Sequence, residues 1–113
     1  MYAFPKSRRL LVKDDFKKVF DKPNKIGCPY YVVLYRKSLE DAPRLGLVIA
    51  KKKVKKSVDR IKIKRIIRES FRMNQNQLKK ADFVFIASAK INELTKAELR
   101  QLLDNTWIKL EKS

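Results

Sequence analysis

The chain contains no histidine, a single cysteine, two glycines among its 113 residues and no long apolar run. Each shortage removes a class of function. Without histidine, Ser-His and Cys-His nucleophilic catalysis cannot operate, and Cys28 has no imidazole base to activate it. The usual zinc sites need His or a second Cys and are excluded as well. One thiol forms no internal disulfide, so the chain reads as cytoplasmic and Cys28 as a small core or edge residue. Two glycines cannot build a glycine-rich phosphate loop. No segment approaches the ~20 apolar residues of a membrane span. The opening MYAFPKSRRLLVKDDF is charged within its first six residues and does not read as a secretory signal. Acidic side chains are also scarce. The adjacent carboxylates Asp14-Asp15 and Glu40-Asp41 point apart on any regular element, and read as a helix start and a turn rather than a nuclease centre.

What is abundant is positive charge. Lys and Arg number 29 against 12 Asp and Glu, a net charge of +17. Such a balance opposes compactness and favours polyanionic partners, nucleic acid above all. The charge is concentrated in Lys51 to Arg72, KKKVKKSVDRIKIKRIIRESFR, where 11 of 22 residues are basic and only Asp59 and Glu69 are acidic. From Ser57 onward Ile63, Ile66, Ile67 and Phe71 stand at i, i+3, i+4 and i+8, one buried stripe of a helix. Arg65, Arg68 and Arg72 fall on another side, with Arg60 and Lys64 beside them. Cations so arrayed neutralise phosphates and release counterions, which gives salt-sensitive and largely sequence-blind affinity. Arginine adds forked contacts that lysine cannot make.

Around this helix the spacing predicts a small α+β domain spanning residues 1–113, with helices packed on a mixed sheet in the order α, β, β, α, β, α. Pro5 opposes helix in the irregular basic opening. Asp14 or Asp15 caps a short amphipathic helix on which Phe16, Val19 and Phe20 stand at i, i+3 and i+4. It ends at the turn cluster Asp21-Lys22-Pro23-Asn24. The two phenylalanines read either as core or as a partly open stacking wall. Tyr30 to Tyr35 is a strand rich in β-branched and aromatic residues, with Tyr31, Val33 and Tyr35 on one face and Tyr30, Val32 and Leu34 on the other. It reads as an interior strand, covered on one side and lined by aromatics on the other. Arg44 to Ala50 is expected to pair with it, antiparallel, across a hairpin. Asp82 to Ala87 is the third strand. Thr95 with Glu98 forms a capping-box pattern that opens a last helix, whose stripe is Leu99, Leu102, Leu103, Thr106, Trp107 and Leu110.

The run Arg60-Ile61-Lys62-Ile63-Lys64-Arg65-Ile66-Ile67-Arg68-Glu69, preceded by Gly46-Leu47-Val48-Ile49-Ala50-Lys51-Lys52-Lys53, resembles the signature of the bacterial ribonuclease P protein subunit family. The segments Phe4-Pro5-Lys6-Ser7-Arg8-Arg9-Leu10 and Asp15-Phe16-Lys17-Lys18-Val19-Phe20 are similar to that family too, so the resemblance covers essentially the whole chain. It implies a cytoplasmic ribonucleoprotein endonuclease that removes the 5′ leader from precursor tRNA. Hydrolysis is then performed by a large RNA subunit with its own magnesium ions, and the protein holds no cofactor, carries no catalytic residue and is monomeric when free. The resemblance assigns Lys51, Lys52, Lys53, Arg60, Lys62, Lys64, Arg65 and Arg68 to the RNA subunit. It assigns Phe16, Phe20 and Tyr35 to a cleft, between the first helix and the sheet, that receives the single-stranded leader. It also implies a left-handed strand-helix-strand crossover, against the right-handed rule.

The sequence departs from the family at Ile61 and Lys62, where the signature reads Asn then Arg. Helical spacing sets Ile61 among the arginines, where it offers packing against sugar or base instead of a hydrogen bond. Lineage drift or an altered sequence is the alternative reading of the same departure. Two rivals to the resemblance share its charge: a basic ribosomal or RNA-chaperone domain without catalysis, and a protein-only nuclease that the residue inventory disfavours.

Overall fold

The segment Ala81–Ala87, ADFVFIA, is apolar on both of its faces, so it is suited to a position with neighbours on every side. In the computed structural model, which describes residues 17, 19–21, 23–37 and 42–111, that is where it lies. The four strands β1 (Asn24–Cys28), β2 (Tyr31–Lys37), β3 (Arg44–Val48) and β4 (Ala81–Ala87) form one sheet in the order β1-β2-β4-β3. β1 and β2 are an antiparallel hairpin, and β2 continues antiparallel to β4, with Val33 opposite Phe85. β3 pairs parallel with β4, Arg44 opposite Asp82. A parallel pair needs a crossover, and the basic helix Ser57–Asn74 is that connection.

The expected α+β class with helices on a mixed sheet is observed, with two corrections. β1 is a strand the sequence reading missed. Its residues NKIGC are mostly exposed, and the alternation is confined to Ile26 and Cys28, too short a pattern to mark a strand. An edge strand held on one side alone needs no more. The second correction concerns pairing: β2 and β3 do not form a hairpin, because β4 inserts between them. β4 buries both faces and gains from bonding along both edges, whereas β3, with intermediate exposure at its ends, occupies the rim.

One face of the sheet carries the main core. Tyr31, Val33, Leu45, Phe83 and Phe85 meet the buried stripe Ile63, Ile66, Ile67 and Phe71 of the basic helix. The terminal helix Lys96–Lys109 adds Leu99, Leu103 and Trp107. Thr95 caps it in the expected capping box: its Oγ1 accepts from the Glu98 amide at 3.1 Å, and its own amide donates to the Glu98 carboxylate at 2.9 Å. That hydrogen bonding lowers the Glu98 pKa below the usual carboxylate value. Trp107 Nε1 donates to Ser70 Oγ at 2.7 Å, and the Phe71 ring stands edge-on to both Trp107 and Phe83. These contacts fix the two helices against each other.

The opposite face is covered differently. Lys17, Val19 and Phe20 are helical, in keeping with the expected short helix. Val19 is fully buried against Val84, with Leu34, Val48 and Ile86 around it. On this face the Arg44 guanidinium grips Asp82 in a two-pronged pair, both bonds 2.8 Å.

Candidate nucleic-acid interface

The cationic surface begins where β3 ends. Residues 51–53 form a tight turn in which the amides of Lys53 and Val54 both donate to the Ala50 carbonyl at 3.0 Å. The Asn92 side chain, on the 3-10 helix Ala89–Glu93, donates to the Lys53 carbonyl at 2.8 Å. Val54 is fully buried and anchors the turn from beneath. Lys51, Lys52 and Lys53 are therefore exposed on a backbone held from two sides, and Lys55 and Lys56 follow, also exposed. A fixed backbone lowers the ordering cost of binding, although each lysine stem stays mobile.

The start of the basic helix has no side-chain cap. Arg60 instead ties the helix to the preceding loop: its Nη1 donates to the carbonyls of Val54 and Lys55, both at 2.9 Å. The resemblance assigns Arg60 to RNA, whereas the structure commits one arm of its guanidinium to the loop that presents the lysines. Sequence spacing carries no sign of this, since helical geometry alone leaves Arg60 among the outward cations.

Further along, Arg65 is exposed while Lys64 and Arg68 are half-buried beside it. Lys62 is exposed on the other flank, facing the terminal helix. There a groove of about 230 Å³ is walled by Val58, Ile61, Lys62 and Arg65 on the basic helix and by Lys96 and Arg100 on the terminal helix. It adjoins a second hollow of about 290 Å³ that shares Lys62, Ile66 and Lys96. Ile61 is 60% exposed and Val58 66%, two branched apolar side chains open to solvent beside the cations of the helix. Lys96 and Arg100 were not among the expected site residues. Their spacing of four is a signal of a shared face, but it does not say which neighbour that face meets.

Two of the three expected aromatics, Phe20 and Tyr35, lie within the described residues. Phe16 lies outside the described residues. Phe20 is 46% exposed next to the buried Val19. Tyr35 projects to the helix-covered face: its ring is 5.9 Å from that of Phe83, and Lys79 Nζ stands 5.6 Å above it. Alternation along β2 explains this, because Tyr35 shares a face with Tyr31 and Val33, both in the main core. The face beside Val19 is instead aliphatic, built from Leu34, Val84 and Ile86. The strand therefore has its aromatics on the covered side, the reverse of the sequence expectation.

The chain that carries this surface is similar to known proteins along nearly its whole length. The Ribonuclease P family model matches residues 4–111. The ribonuclease P protein component of Aliivibrio fischeri is 41% identical over 111 residues, 98% of this chain and 95% of that protein. That of Photobacterium profundum is 42% identical over 110 residues, 97% and 93% of the two chains. Among solved structures, the RNase P protein of Staphylococcus aureus superposes with a TM-score of 0.83 at 27% identity, covering 90% of this chain and 93% of its own. The RNase P protein of Thermotoga maritima does so with a TM-score of 0.77 at 33% identity, covering 92% and 98%. With sequence likeness along nearly its whole length and the same fold beneath it, the chain belongs to the ribonuclease P protein component family.

Proposed function

We propose that this chain is the protein subunit of a ribonuclease P ribonucleoprotein and contributes binding, while its RNA subunit carries out the hydrolysis that removes the 5′ leader of precursor tRNA. The observation that carries this reading is the anchored lysine turn running into the basic helix, a concentration of +9 in 22 residues. Such a surface suits a folded RNA recognised by backbone and shape. By neutralising phosphates it offsets RNA–RNA repulsion, and so lowers the magnesium concentration the RNA subunit needs. Lys51, Lys52, Lys53, Lys62, Lys64, Arg65 and Arg68 would make these contacts, with Arg60 acting mainly through the turn it holds.

The leader of precursor tRNA would lie along the side of the sheet covered by Val19, with Phe16 and Phe20 as stacking groups. Stacking on aromatics tolerates any base, as a leader of varied sequence requires. Tyr35 is the weakest member of this set, since its ring belongs to the other face. The holoenzyme works in the cytoplasm, and the free protein is a monomer.

Reconstitution tests the reading. Precursor tRNA is incubated at low magnesium with the protein, with its cognate RNA subunit, and with both. Cleavage by the mixture alone is the expected outcome. Cleavage by RNA-free protein would overturn it, as would a protein that adds nothing to the RNA.

A further inference from the structure

The groove between the basic and terminal helices is not accounted for by a single RNA-facing helix. Its walls place Lys62 and Arg65 across from Lys96 and Arg100. All four are exposed, and none forms an ion pair with a described residue. Glu69 also lines the groove and forms no ion pair with any of the four, so cations outnumber it there four to one. Like charges gathered around one hollow repel each other and are stabilised by an anion that spans them. Between the cations stand Ile61 and Val58, exposed and apolar. A small inorganic anion has no use for that edge. A ribose-phosphate strand has: its phosphates repeat along both walls, and a sugar or base face can rest on aliphatic side chains.

We infer that this groove is a second RNA seat, in which Lys96 and Arg100 of the terminal helix clamp the backbone of the same RNA strand that Lys62 and Arg65 hold, with Ile61 packed against its sugars or bases. The inference rests on the proposed RNA-subunit role and extends it to a helix otherwise devoted to the core. It gives Ile61 a task that an asparagine at that position would perform by hydrogen bonding.

The test is the salt dependence of binding between the full-length protein and its cognate ribonuclease P RNA. The double variant Lys96→Gln/Arg100→Gln is compared with Lys90→Gln/Lys109→Gln, which removes the same charge from exposed positions outside the groove. Loss of two phosphate contacts is expected to flatten the slope of log K against log salt by about 1.4, at roughly 0.7 per single-strand contact. The control pair should leave the slope nearly as it is. Ribose protection in hydroxyl-radical footprints should fade over one short stretch of RNA in the groove variant, and Ile61→Asn should alter that same stretch. Equal slopes and unchanged footprints for the two double variants, both melting as the parent does, would overturn the groove as an RNA seat. A parent protein that fails to bind the RNA at all would instead overturn the underlying role.

Discussion

Single side chains here often serve two ends, and Tyr31 shows how closely they can be bound. Its ring stacks on Phe85 at 4.4 Å between centroids, and its hydroxyl meets Thr106 Oγ1 at 2.6 Å. Burial pushes the phenol from its ordinary 10.0 up to about 12, with the Thr106 hydrogen bond pulling partly the other way. The folded state therefore favours the neutral phenol. That stabilisation is complete below the unfolded value and is lost as pH rises through the folded one. Unfolding monitored by urea titration should show a loss on the order of 2 kcal/mol between about pH 10 and 12. Tyr31→Phe should remove that component and leave a flatter alkaline profile. An unchanged profile would mean that the phenol titrates as it does in the unfolded chain. Arg60 is the companion case: its charge reads as a binding group, yet its hydrogen bonds serve the lysine turn.

At the scale of elements, local pattern and tertiary partner contribute unequally. The basic helix was legible because its buried stripe repeats with the helical period, and the terminal helix because Thr95 and Glu98 satisfy its first amides locally. β1 was not legible, since an exposed edge strand of five residues carries almost no alternation. Nor was the order of strands, because pairing of β3 with β4 joins segments separated by the whole basic helix. The Arg44–Asp82 pair ties those two strands, and Asp82 is only 6% exposed. Removing one partner of a mostly buried pair leaves a desolvated charge, a cost of about 3–5 kcal/mol. Asp82→Ala should lower the urea midpoint accordingly, while Arg44→Met/Asp82→Leu should recover much of the loss. If Asp82→Ala melts like the parent, the pair is solvated and contributes little.

For the whole molecule, the sheet acts as a partition. The main core and both long helices lie on one face, and the Val19 cluster lies on the other. Surfaces separated in this way should respond to mutation independently. Arg65→Ala is expected to weaken binding to the RNA subunit with little effect on discrimination between precursor and mature tRNA. Phe20→Ala should do the reverse. Gel-shift titrations of subunit assembly, followed by affinity for leader-bearing and leaderless tRNA, read both steps. Failure of both variants at the same step would mean that the two faces work as one.

The cationic helix, its buried stripe, the capping box and the lack of histidine can all be read from the order of residues alone. Each depends on residues within a turn or two of one another, or on composition alone, so no fold is needed to read them. Which face of β2 receives Tyr35, where Arg60 spends its hydrogen bonds, and that Lys96 and Arg100 come to face Lys62 and Arg65, are visible in the folded chain alone. Those outcomes follow from which distant segments win the central place in the sheet and how two helices settle upon it. Packing between remote parts of a chain sets them, and no local spacing encodes it.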